Sequence, residues 1–381
     1  MSNSKTRPLK GARAVARSKV APSKAHRIRA GLLGSTALIA VGLAASPAMA
    51  QVTVATPAGG GVITRTTGSN PTVNNQTGAG GGLLITDVTQ ATDLTLNGVQ
   101  ISNTSGAPGA NALDIRGLTS GLNSTGLRLT GANTLTTTAN GGAALYMATN
   151  ANMGLTFQSS GSVFTGSYGV NLSAPGGYIS LDSTGQSQSF VANGTAIAGI
   201  NAISAINASI LIGGSSISGF ATGVNAQNLY GAGFVSTGGT ISASGTGVRL
   251  DATGGQNSVN SQSAITAQTG IHSTAAGDTT NTSTITTSGA GTINSTAAGT
   301  GTGILATSAG FLTINAGAAI GDVTRFGTGI NATATGGVNV TATAAINANN
   351  GIVVSSAGPI SVITSGAGTI NGAGTGISVA G

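Results

Sequence analysis

The chain has no cysteine, no tryptophan and no glutamate. Without cysteine there is no disulfide to staple a fold and no thiolate for a zinc site. Aromatic residues are 3% and charged residues 6% of the 381 positions. That scarcity removes the aromatic platforms and basic grooves by which proteins hold single-stranded nucleic acid. Two histidines occur, and only His272 lies beyond the first 50 residues. The one long apolar run, at 30–45, is rich in glycine and alanine. It falls short of the roughly 20 apolar residues of a membrane-spanning helix.

The formal net charge of +7 suggests a basic protein, but the charge is unevenly placed. Lys5, Arg7, Lys10, Arg13, Arg17, Lys19, Lys24, Arg27 and Arg29 precede residue 30, where no acid occurs. The other cations are Arg65, Arg116, Arg128, Arg249 and Arg325, set against seven aspartates. The basicity therefore belongs to the leader, and a nucleic-acid partner is not expected. A basic stretch, then the run AGLLGSTALIAVGLAA, then SPAMA ending at Ala50 has the order of a secretory signal. The expected cut lies between Ala50 and Gln51. No twin arginine is present, which favours the general secretory route. A membrane anchor is the other reading of this segment.

What is abundant is small: 64 glycines, with serine, threonine, alanine and asparagine. Disordered chains of that kind are usually charged and poor in aliphatics. Here charge is low, mean hydropathy is +0.28, and Ile, Val and Leu recur at intervals. The phrase GTGV at 245–248 returns as GTGI at 301–304, 327–330 and 374–377. The aliphatics that close this and similar phrases are Leu145, Val170, Ile200, Val224, Val248, Ile271, Ile304, Ile330, Ile352 and Ile377, mostly 22–26 residues apart. A period of that size marks a solenoid.

Each period divides again. Ile330, Val338 and Ile346 are eight apart; Ile352, Ile360 and Ile370, and Ile304, Leu312 and Ile320, repeat the rhythm. Side chains alternate within each piece, as in Val338-Asn339-Val340-Thr341-Ala342, which is the period of a strand. The expected fold is all-β: a right-handed parallel β-helix solenoid with about three short strands per coil, preceded by a signal peptide. Glycine is expected at the corners because it reaches positive φ without a Cβ clash. The roughly 330 residues after Ala50, at about 24 per coil, predict about 14 coils. The expected divisions are residues 1–50 (signal peptide), 51–82 (irregular first coil or cap) and 83–381 (the β-helix, incomplete at its C-terminal end). Ile-Asn pairs at 200–201, 206–207, 293–294, 314–315, 330–331, 346–347 and 370–371 leave two readings open. The asparagines either form amide ladders along the axis or are merely solvated. The 271–304 coil is about ten residues longer than its neighbours, and its excess is expected in AAGDTTNTSTITTSGAG at 275–291.

Little of this resembles an active site. The aspartates are Asp87, Asp93, Asp114, Asp182, Asp251, Asp278 and Asp322, with no two within five residues, although stacking can bring distant ones together. Asp114 with Arg116, and Asp322 with Arg325, are expected as surface ion pairs. His272 follows an inward Ile271 and is expected to face solvent. His272 with Asp278 and one of the many serines can be drawn as a triad, but the abundance of serine makes that match uninformative. No catalytic, metal or cofactor residue is expected, and the chain is read as no enzyme.

The basic leader, the AMA ending and the GTGI, INA and GGV phrases resemble the passenger region of bacterial autotransporters (type V secretion). The resemblance covers essentially the whole chain. It implies export across the inner membrane and partnership with secretion machinery and an outer-membrane β-barrel. It also implies residence at the cell surface, in the outer membrane or outside the cell, and adhesion or aggregation through a ligand on a host or neighbouring cell. The chain departs from the family in lacking a barrel and the family's extended-signal consensus, and it closes on the opening strand of a new coil. A truncated gene product, or further sequence, is therefore expected. Two alternatives stand beside this reading. One is a two-partner secreted haemagglutinin-like adhesin, to which Asn70-Pro71 lends slight support. The other is a glycan-active β-helix enzyme.

Overall fold

The structure is a computed structural model that describes residues 61–65, 72–74, 77–78, 82–87, 92–117, 125–277, 279–289 and 291–381. The leader, the Ala50–Gln51 junction and Asp278 lie outside the described residues. Among the described residues there is no helix. Parallel strands stack as a β-solenoid of about 11 turns.

Each turn contributes to three sheets. The first contains Leu113–Gly117, Ala143–Thr149, Tyr168–Ala174 and Ala198–Ser204, and continues through Thr269–Ala275 and Phe326–Ala334 to Ile377–Ala380. The second contains Thr125–Thr130, Met153–Phe157, Ile179–Ser183, Thr282–Thr287, Phe311–Ala316 and Gly337–Ala342. The third contains Thr134–Thr137, Val163–Gly166, Ser189–Ala192 and Ala264–Thr266. Two long strands, Ala208–Asn228 and Gly233–Ala252, bend round the corners and serve all three sheets.

The aliphatics that set the sequence period stand directly above one another. Leu145, Val170, Ile200, Val224, Val248, Ile271, Ile304, Ile330, Ile352 and Ile377 are register partners from turn to turn. Leu312, Val338 and Ile360 form a matching column in the second sheet, and Ile320, Ile346 and Ile370 one in the third. Alternation places these side chains inside, where all but the last turn's are buried. Each such Ile, Leu or Val stabilises by about 1.5–3 kcal/mol on full burial. Larger rings fill one stretch: Phe164 stacks on Phe190 at 5.2 Å, and Phe157 meets Phe164 edge-on at 5.7 Å.

Two expectations change in detail. There are about 11 turns, fewer than the expected 14, because the early turns are long: Leu83 pairs with Leu113 and Leu113 with Leu145, spacings of 30 and 32. Strands Gly61–Arg65, Thr72–Asn74 and Thr77–Gly78 each run parallel to a strand of the next turn. In the long 271–304 coil the excess is shared among corners rather than confined to 275–291. Strand Thr282–Thr287 keeps its register with Phe311–Ala316, and against the preceding turn the largest addition follows Ile293. Ile293 to Ile304 spans 11 residues, where Ile265 to Ile271 spans 6. Polar backbone prefers water to the interior, so each corner bulges outward a little and the inner columns stay aligned.

The glycine of the recurring phrase has a reason of its own. Gly199, Gly223, Gly247, Gly270, Gly303, Gly329 and Gly351, each just before an inward aliphatic, do not have positive φ. A Cβ on Gly303 would collide with the Ile320 Cγ2 methyl and the Gly329 carbonyl oxygen. On Gly329 it would meet Ile346 and the Gly351 carbonyl. The column is glycine because the third sheet's isoleucine and the next turn's backbone fill the space. Positive φ is instead found at corner glycines such as Gly239 (φ 89°) and Gly301 (φ 68°).

Candidate functional site

The outward face of the first sheet carries Asp114, Arg116, Arg249 and Asp251, half of the charged side chains described. One column there runs Asp114, Tyr146, Asn171, Asn201, Asn225, Arg249, His272 and Leu305. At one end the Arg116 guanidinium donates to both Asp114 oxygens at 2.9 Å, and Asn111 Nδ2 donates to Asp114 at 3.0 Å. The Asp114 hydrogen bond and charge raise the Arg116 pKa. The guanidinium lies 5.8 Å from the centre of the Tyr146 ring. The expected Asp114–Arg116 pair is thus present, and it is exposed on the arginine side.

Three asparagines follow as an amide ladder. Asn201 Nδ2 donates to Asn171 Oδ1 at 2.8 Å, and Asn225 Nδ2 donates to Asn201 Oδ1 at 2.6 Å. A second step joins Asn371 to Asn347 at 2.7 Å. Both readings of the Ile-Asn pairs therefore occur. Asn331 has Leu305 and Val353 as register partners, so no amide stands beside it in the column.

Arg249 Nε donates to Asp251 Oδ2 at 2.6 Å, an ion pair the sequence reading missed although the i, i+2 spacing matches that of Asp114 and Arg116. His272 stands in register with Arg249, faces outward and is half-buried, with its Nε2 3.3 Å from Thr274 Oγ1. Burial lowers its pKa most; Asp251 raises it and Arg249 lowers it further. Asp322 and Arg325 do not pair. Their turn is held instead by Asn294 Oδ1, which accepts from the Val323 and Thr324 amides at 2.9 and 3.3 Å. Among the described residues no group of histidines and carboxylates is placed to hold a metal ion.

A concave feature of the described residues lies elsewhere, at the corner between the second and third sheets. Along that corner a polar spine runs from turn to turn. Val99 N–H donates to Asn133 Oδ1, Asn133 N–H to Ser162 Oγ, Ser162 N–H to Gln188 Oε1, and Gln188 N–H to Ser215 Oγ, all at 2.9–3.1 Å. Each turn's corner amide is satisfied by the side chain of the next. The residue in register with Ser215 is Gly239, which has no side chain to offer. Here the pairing also slips, between Ile212 and Gly214. The glycine pairs Gly213-Gly214 and Gly238-Gly239 leave a cavity of about 380 Å³. Leu211, Thr184, Ser236 and Gln262 are among its lining residues, while the Ile212 side chain beside it belongs to the core. Its residues come from four successive turns, a run of about 14 Å at the usual strand spacing. The sequence reading had no signal for it beyond two Gly-Gly pairs, in a chain where glycine is everywhere.

No family model, no curated protein and no solved structure matches the chain.

Proposed function

We propose that the chain is an exported, autotransporter-like passenger that serves as a structural and adhesive surface solenoid and turns over no substrate. The observation that carries this reading is the unbroken stack of parallel turns, with polar, charge-poor outer faces over continuous aliphatic columns. A regular stack repeats weak contacts along its length, and many weak contacts together give avidity. The disposition of Asp114, Asp182 and Asp251 supports the same reading. Glycoside hydrolysis needs two carboxyl groups within about 5–9.5 Å. Asp114 and Asp251 stand five turns apart on one sheet, about 24 Å at the usual spacing, and Asp182 is on another sheet. Each of the first two is held by an arginine on its own strand.

The test is to display the full chain on cells and score adhesion to glycan-coated and abiotic surfaces, alongside an assay for cleavage of neutral and acidic polysaccharides. Adhesion above that of undisplayed controls, without new chain ends, is expected. Release of oligosaccharides would transfer the chain to the enzyme class.

A further inference from the structure

We infer that the corner cavity over Gly213-Gly214 and Gly238-Gly239 is a binding site for a neutral sugar ring, the terminal or branch unit of a neutral glycan. The inference rests on the adhesive reading above and gives it a ligand class. The volume, about 380 Å³, falls within the range of about 300–1,000 Å³ used by small-molecule sites. The lining has the two chemistries a pyranose needs. Leu211, which points outward, offers an apolar surface to its C–H face, and the Thr184 and Ser236 hydroxyls and the Gln262 amide stand where its hydroxyls would hydrogen-bond.

Charge selects among polar ligands. No charged residue lines the cavity. The charged residue in register with Leu211 is Asp182, whose Oδ1 accepts the Thr184 amide at 2.8 Å. A carboxylate at the rim repels uronates, sulfates and phosphates, while a neutral sugar can donate hydroxyls to it. The backbone is also irregular here. The corner spine ends at Gly239, where a Cβ would run into the Ser215 carbonyl. The register slip lies one turn below, and bulges of this kind re-aim side chains beside functional sites. At Gly214, by contrast, φ is not positive and a Cβ meets only the Ser187 hydroxyl, at 3.0 Å. Gly214 can therefore carry a side chain without disturbing the backbone.

The experiment uses the full chain and a panel of neutral gluco-, galacto- and manno-oligosaccharides, their uronic and sulfated counterparts, and a random peptide panel. Gly214→Leu should fill the cavity and abolish neutral-oligosaccharide binding. Gln262→Ala and Thr184→Val, at exposed positions that leave the core intact, should each weaken it about tenfold, the loss of one hydrogen bond. Arg116→Ala, on another face, should leave it unchanged. Circular dichroism on each variant separates loss of binding from loss of fold, and if Gly214→Leu does not fold, the other two variants decide. The inference is overturned by no neutral binding in the parent chain, by neutral binding indifferent to all three cavity variants, or by preference for acidic sugars or peptides. Cell adhesion that persists in the cavity variants sinks the site and leaves the adhesive reading. Oligosaccharide binding without adhesion sinks the adhesive reading and leaves the site.

Discussion

At the scale of single residues, the glycine column makes the sharpest demand. Gly303→Ala should destabilise the chain by about 1–3 kcal/mol, the usual cost of overpacking, read as a lowered urea midpoint. The clash is with the Gly329 carbonyl as well as the Ile320 methyl, so shortening Ile320 should recover only part of the loss. His272 gives a pH dependence of definite sign. Its pKa in the fold lies below the ordinary 6.5, chiefly because burial disfavours the cation. The unfolded chain therefore takes up the proton first as pH falls. The contribution is fully present above about 6.5 and is lost as pH drops toward the lower folded value. Comparing urea midpoints at pH 7.5 and 5 should show this decline in the parent chain and a smaller one in His272→Gln.

At the scale of the element, the corner spine and the outer amide ladder resemble each other on paper and differ in consequence. Asn133 is fully buried, caps the Val99 amide and donates to the Thr130 and Gly131 carbonyls. Asn133→Ala strands a buried donor and two acceptors and should cost about 1–3 kcal/mol. Asn225 is half-buried on the outer face and makes one hydrogen bond, to Asn201 Oδ1, so Asn225→Ala should cost less, about 0.5–1.5 kcal/mol. Thermal or urea melts of the two variants side by side check the contrast. The same difference explains what the sequence could reveal. The inward columns were legible because burial on one face forces Ile and Val to return at fixed intervals, as at Ile304, Ile330 and Ile352. The Arg249–Asp251 pair and the cavity were not. The first depends on an i, i+2 spacing in a chain of scattered charges. The second depends on the absence of side chains at Gly214 and Gly239, and among 64 glycines an absence leaves no pattern. The reason for the phrase glycine is hidden for a related cause: a lone sequence shows that a side chain is missing, not which neighbour excludes it.

At the scale of the whole stack, stability is the sum of turns and of the interfaces between them. Ile271 is fully buried between Val248 and Ile304. Ile271→Asp places a charge there without a partner, which is costly. The nearest-neighbour character of the stack predicts that the damage stays local. Hydrogen exchange should show the amides of 246–252 and 302–308 opening early, with those of 168–174 and 328–334 still protected. Uniform loss of protection along the chain would contradict a solenoid energetics of this kind.

The vertical file of glycines ahead of the first sheet carries a last consequence, for how such a chain can change. Each member is constrained by the carbonyl above it and by the methyl beside it, so no position in the file can be edited alone. A complete circuit, by contrast, brings its own glycine, its own methyl and its own carbonyl. Duplicating or excising a whole circuit, residues 305–330 for instance, leaves each remaining glycine of the file facing an isoleucine methyl and a glycine carbonyl. Such a chain lengthens and shortens by copying units more readily than by substituting letters.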